Sequence, residues 1–182
     1  MLSESRLRKI SKYLSYHLRH HPDELGLELE TGGWVDVTQL LAACRQNQFV
    51  IQPVELEEVV DRNDKKRFSF NEDRRKIRAN QGHSVEVDLE LIPQTPPEVL
   101  YHGTGHKAVA AILKDGLLKM SRHHVHLSSD RTTAKKVGQR HGKPVIFQVN
   151  TVAMSEAAYV FYCSQNGVWL VDRVPAEYLI KL

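Results

Sequence analysis

Apolar residues stand at Leu7, Ile10, Leu14 and Leu18, three and four positions apart, and predict an amphipathic helix from Ser3 to His20. Pro22 is a firm stop for it, whereas Ser3 is a weak start signal. The stretch GGWVDVTQLLAAC then reads as a turn, a short extended piece and a second helix, with Asp36 or Thr38 as its N-cap. Pro53 opens a third helix, PVELEEVVDRN, in the first-turn position that proline tolerates. After it, KKRFSFNEDRRKIRA predicts two short strands around the polar turn NEDRR.

The pattern changes at VDLELIPQTPPEVLYHG, where Pro93, Pro96 and Pro97 disfavour helix and place a domain boundary. Beyond it come VLYHGT, HKAVAAILKDG, HVHLSS, DRTTAKKVGQRHG, PVIFQVN, YVFYCSQNGVWLV and EYLIKL, short β-branched and aromatic runs alternating with a few helices. This predicts an α+β protein of two domains, 1–92 and 98–182. Three helices and a basic hairpin suggest a winged-helix lobe in the first, a form that often meets nucleic acid. A helical domain with a solvated hairpin fits the same pattern.

With 182 residues and 41% hydrophobic content the chain has material for a core in each domain. A net charge of +3 and a pI near 8.8 permit a nucleic-acid partner without requiring one. Cys44 and Cys163 form no CxxC pair and are expected as reduced thiols. The N-terminus MLSESRLRKI has no long apolar run, and no segment has the ~20 apolar residues a membrane span needs, so a cytoplasmic protein without membrane contact is expected.

The helix ending YLSYHLRHHP raises the question of chemistry. Cations suit a helix C-terminus, and the same groups can grip an anion; position alone leaves both open. The second domain has neither GxGxxG nor GxxxxGK[ST], so neither a Rossmann nor a P-loop site is indicated. It has His102–Gly103–Thr104 after an apolar strand and His126 in an alternating strand, residues that suit a ligand, a metal or a hydrogen-bonded interior. With no HExxH and no thiolate pair, no metal site is expected.

The fragments HGT, HLS and NGVWL together resemble the ADP-ribosyltransferase fold, in which a split pair of sheets clamps NAD⁺. Over nearly the whole chain, LSYHLRHHP, NDKKRFSF, IRANQGHS, LYHGT, MSRHHVHLS and NGVWL resemble, in order, the RNA 2′-phosphotransferase family. The resemblance implies transfer of an internal RNA 2′-phosphate to NAD⁺, without a metal. The products would be 2′-hydroxyl RNA, nicotinamide and ADP-ribose 1″,2″-cyclic phosphate. Arg19, His20, Arg67 and Arg122 match the family's catalytic set. His102, Gly103, Thr104, Lys107, His126, Ser128 and Val168 fall at its NAD-binding positions. Val168 stands where protein-modifying relatives of the fold carry glutamate, which speaks against a protein acceptor. The implied partners are NAD⁺ and a 2′-phosphorylated RNA, tRNA among the candidates, with the chain a monomer and its two lobes meeting at the reaction. ADP-ribosylation of terminal phosphates on RNA or DNA, and a non-catalytic RNA-binding module, stand as alternatives.

Around this set, His17, His21, His123, His124 and His141 are expected at the surface and Trp169 in the core. The basic run Lys65, Lys66, Arg74, Arg75 and Arg78 is expected to face RNA backbone. Gln81, His83 and Ser84 are expected either to touch the substrate phosphate or to tie the domains together.

Overall fold

A computed structural model describes residues 2–62 and 66–182, so Lys65 of the basic run lies outside the described residues. The chain is α+β and divides into two compact units, Met1–Glu90 and Leu91–Leu182.

In the first unit, α1 (Glu4–Arg19) forms where the apolar spacing predicts it, and Ile10, Leu14 and Leu18 are fully buried. Each such side chain is worth about 1.5–3 kcal/mol relative to exposure, which outweighs the helix's poor start. Ser3 accepts from the Arg6 N–H at 3.2 Å. β1 (Trp34–Asp36) leads into α2 (Val37–Gln46), and Asp36 rather than Thr38 is the cap, accepting from the Gln39 N–H at 2.9 Å. α3 (Pro53–Asp61) begins on its proline, with Glu55 accepting from the Gln52 N–H. Arg6 donates two hydrogen bonds to Glu55 and thereby joins α1 to α3, holding the Glu55 carboxyl below its ordinary pKa. β2 (Phe68–Phe70) and β3 (Lys76–Ala79) follow, and the three strands pair antiparallel in the order β1-β3-β2.

The second unit runs β4 (Val99–Gly105), α4 (Val109–Asp115), β5 (Leu117–Leu118), β6 (Val125–Leu127), α5 (Arg131–Gly138), β7 (Pro144–Asn150) and α6 (Thr151–Glu156). It closes with β8 (Phe161–Cys163), β9 (Trp169–Val171), β10 (Arg173–Val174) and β11 (Leu179–Lys181). Two three-stranded antiparallel sheets, β11-β7-β4 and β6-β9-β8, carry its core around Leu100, Leu127, Phe147, Val149 and Phe161. Tyr101 and Ser128 exchange both main-chain hydrogen bonds, at 2.8 and 2.7 Å, and so join β4 to the end of β6. Trp169 packs against this core, as its sequence context predicts.

Two surface expectations, for His17 and His124, are corrected, and Arg78 has a partner within the sheet. His17 is buried, because it lies on the core side of α1 between Tyr13 and Tyr16, with Nδ1 3.1 Å from the His21 carbonyl. His124 is half-buried and edge-on to Tyr162, and burial lowers its pKa. Arg78 is paired across the sheet with Trp34, its guanidinium 4.4 Å from the ring and donating to the Gly32 carbonyl. It staples β3 to β1, and burial lowers its pKa. Both cysteines are free, and burial pushes the Cys44 thiol up to about 11, which leaves it protonated and inert. No helix among the described residues is long and apolar enough to cross a membrane.

Candidate functional site

The first unit holds Arg19, His20 and Arg67 on neighbouring elements. Arg19 is the last residue of α1 and His20 its C-cap, with the His20 N–H donating to the Tyr16 carbonyl at 3.1 Å. A helix end leaves carbonyls without intrahelical donors. Here the Ser84 N–H donates to the Arg19 carbonyl at 2.9 Å, while Ser84 Oγ stands 2.8 Å from His20 Nδ1. Arg67, just before β2, donates from Nη1 to Ser11 Oγ at 3.4 Å. Ser11, Ser15 and Arg19 are four apart, hence on one face of α1, and the two serines are small enough to leave space for arginine there. Main chain at Arg67 is fixed in turn: its carbonyl accepts from the Asn80 N–H at 2.8 Å, and the Lys66 carbonyl accepts from Asn80 Nδ2 at 2.7 Å.

His83 is completely buried within this unit, and a Cβ on Gly33 would stand 3.4 Å from its Nε2. Ser84 and His83 thus fasten α1 and the loop before β1. Both contacts lie inside the first unit. Asn80, which sequence reasoning passed over, is buried and serves Arg67 in the same way.

In the second unit the HGT and HLS segments are brought together by the Tyr101–Ser128 pairing. His102 Nδ1 lies 3.1 Å from the His126 carbonyl, so Nδ1 carries the proton and Nε2 keeps its lone pair. Burial, opposed by that hydrogen bond, lowers the His102 pKa, and nearby His141 and Arg122 add to the lowering. Arg122, exposed in the loop before β6, donates from Nη1 to His126 Nδ1 at 3.0 Å. Arginine can only donate, so that nitrogen of His126 is an acceptor. His126 therefore meets Arg122 through its ring and His102 through its carbonyl.

The glycine and threonine of HGT have a packing explanation. A Cβ on Gly103 would stand 1.7 Å from the Ala134 carbonyl oxygen, so its bare face is occupied by α5. Thr104 is buried, and its main chain lies 2.8–3.0 Å from where a Cβ on Gly138 would be. The tight seating of α5 on β4 accounts for the glycine without a ligand. Asp130 caps α5 by accepting from the Thr133 N–H at 2.7 Å, and Arg131 lies over the Tyr101 ring. Val168 sits in the β8–β9 hairpin, its N–H donating to Ser164 Oγ and its carbonyl accepting from the Ser164 N–H. Lys107 is exposed in the turn between β4 and α4. Among the described residues no three of His, Cys, Asp and Glu stand close enough to share a metal ion.

Comparison with known proteins matches residues 5–173 to the family described as RNA 2′-phosphotransferase, Tpt1 / KptA family. A protein of Nostoc punctiforme named "Probable RNA 2′-phosphotransferase" is 62% identical over the full length of both chains. Relatives of the same name from Trichormus variabilis and Flavobacterium johnsoniae are 64% and 49% identical, each over 98% of both chains. Identity of that extent through both units places the chain in the RNA 2′-phosphotransferase, Tpt1 / KptA family.

Proposed function

We propose that the protein removes an internal 2′-phosphate from RNA by transferring it to NAD⁺. In the first step a phosphate oxygen attacks the anomeric carbon of the nicotinamide ribose, and the bond to nicotinamide breaks. In the second the ribose 2″-hydroxyl attacks phosphorus, and the RNA 2′-oxygen leaves and takes up a proton. ADP-ribose 1″,2″-cyclic phosphate and 2′-hydroxyl RNA result. On this reading the first unit is a winged-helix lobe and the second an ADP-ribosyltransferase-like lobe.

The observation that carries the reading is the fixing of Arg19, His20 and Arg67 by one short loop, whose Ser84 and Asn80 bond to both segments. A phosphate monoester carries nearly two negative charges at neutral pH, and phosphoryl transfer rests on positioning and charge stabilisation. Guanidinium groups stay protonated and offer parallel donors to phosphate oxygens. Arg19 and Arg67 bind the phosphate, and Arg122 is the fourth member of the set. His20 supplies the proton to the departing 2′-oxygen. In the second unit His102 suits a ribose hydroxyl, since Nδ1 is committed to the His126 carbonyl and Nε2 remains an acceptor. Ser128 stands beside it in the joined strands, and Lys107 faces the pyrophosphate.

The test incubates the pure protein with a short RNA bearing one internal 2′-phosphate, with and without NAD⁺. Loss of phosphate only with NAD⁺, together with cyclic phosphate formation, is expected. Retention of the phosphate under both conditions overturns the reading. A stalled ADP-ribosylated RNA favours ADP-ribosylation of phosphates as the activity.

A further inference from the structure

We infer that residues 80–84 act as a clamp in which Asn80 positions Arg67 and Ser84 positions Arg19 and His20. The inference rests on the phosphotransferase reading and assigns roles to two residues outside the set that touches phosphate.

Asn80 follows directly on β3, where Phe68 pairs with Ala79. The Asn80 N–H extends that ladder by one rung to the Arg67 carbonyl, at 2.8 Å. Its side-chain amide reaches past the rung to the Lys66 carbonyl, at 2.7 Å. The second bond matters because Lys66 has φ +39°, a left-handed backbone that costs a non-glycine residue about 1–2 kcal/mol. A strained residue next to an arginine lets the arginine wander unless something holds it. Asn80 is 7% exposed, so its amide cannot exchange this partner for water.

Gly82, with φ +90°, then turns the chain, and His83 is buried beside Gly33. That anchor delivers Ser84 to the end of α1. The Ser84 N–H occupies the Arg19 carbonyl, which the helix leaves without an intrahelical donor. Its hydroxyl lies 2.8 Å from His20 Nδ1. Whichever atom donates, the contact fixes the ring plane and turns Nε2 away from Ser84. Two groups on α1 and one beside β2 are therefore held by a single five-residue segment, whose ends each bond to a different one of them.

The experiment measures kcat and KM for 2′-phosphate transfer in Ser84→Ala, Ser84→Thr and Asn80→Ala, alone and combined with His20→Ala or Arg67→Ala. A misplaced catalytic group lowers turnover, so kcat is expected to fall about tenfold in Ser84→Ala and Asn80→Ala, with the KM for NAD⁺ unchanged. Ser84→Thr retains the hydroxyl and restores the rate. Because each clamp residue acts through its partner, Ser84→Ala adds no loss to His20→Ala, and Asn80→Ala adds none to Arg67→Ala. Losses that multiply in the double variants, or single variants within twofold of wild type, overturn the clamp. If Asn80→Ala fails to fold, the Ser84 arm decides alone. Ring ¹⁵N spectra of His20 separate the two ways of failing: a signal moved by Ser84→Ala and returned by Ser84→Thr supports the contact even where the wild-type chain transfers no phosphate. An unmoved signal overturns it.

Discussion

Arginine and lysine differ most where a phosphate must be held in one orientation, and Arg67 is placed for that difference to show. Its main chain is fixed on two carbonyls by Asn80 and its guanidinium donates to Ser11. Arg67→Lys keeps the charge but replaces a planar fork with a point charge. Transfer is expected to slow roughly a hundredfold, about 3 kcal/mol, while the melting temperature stays within a few degrees. A rate within threefold of wild type would remove Arg67 from the phosphate. His102 supports a prediction of another kind. Burial holds its folded pKa below the unfolded value of about 6.5. The unfolded chain binds the proton first as pH falls, so stability is full above about 6.5 and is lost below it. His124 contributes with the same sign. Melting at pH 7.5 and 5.5 checks this: wild type should lose more stability on acidification than His102→Asn, and equal losses would refute it.

At the scale of elements, local signals were legible and distant ones were not. The spacing of Leu7, Ile10, Leu14 and Leu18 specified α1, and Pro53 marked the start of α3, because helix periodicity and first-turn preferences act within a few residues. Arg78 belongs to a basic run that the sequence offers to RNA backbone; its pairing with Trp34 spans 44 positions and leaves no local trace. The contact between His20 and Ser84 spans 64 positions, so the family resemblance could point to both residues without showing that they touch. A glycine after the strand leaves room for a ligand, whereas the nearest claim on that room comes from α5. This has a measurable consequence. Gly103→Ala drives a methyl against the Ala134 carbonyl, a backbone atom that cannot rotate aside. A destabilisation of about 3 kcal/mol or more is expected, from overpacking between a strand and a helix. Thermal melting decides it, and a variant as stable as wild type would show that α5 yields easily.

Among the described residues of the whole molecule the buried side chains form two cores, one around Ile10, Leu14, Leu40 and Phe68 and the other around Leu100, Phe147 and Phe161, with no residue in common. On the proposed reading the labour is divided: groups on the first core serve the RNA, and groups on the second, apart from Arg122 of the phosphate set, serve NAD⁺. Charge provides the cleanest way to read the RNA side. Arg74 and Arg75 are exposed, and their ion pairs with Asp61 and Asp73 are both 3.7 Å, long enough and wet enough to be worth little. Such guanidiniums exchange a weak carboxylate contact for a phosphate at small cost, and each phosphate neutralised on a single strand releases bound counterions. Reversing both, as Arg74→Glu with Arg75→Glu, should flatten the plot of log affinity against log salt by about 1.4, at roughly 0.7 per phosphate. The loss of RNA affinity is then larger at low salt than at high salt, while NAD⁺ affinity is unchanged because those residues belong to the first unit. A loss of equal size at every salt concentration would mean that the two arginines shape the hairpin and do not meet the RNA backbone. A parallel loss of NAD⁺ affinity would mean that the labour is not divided by core.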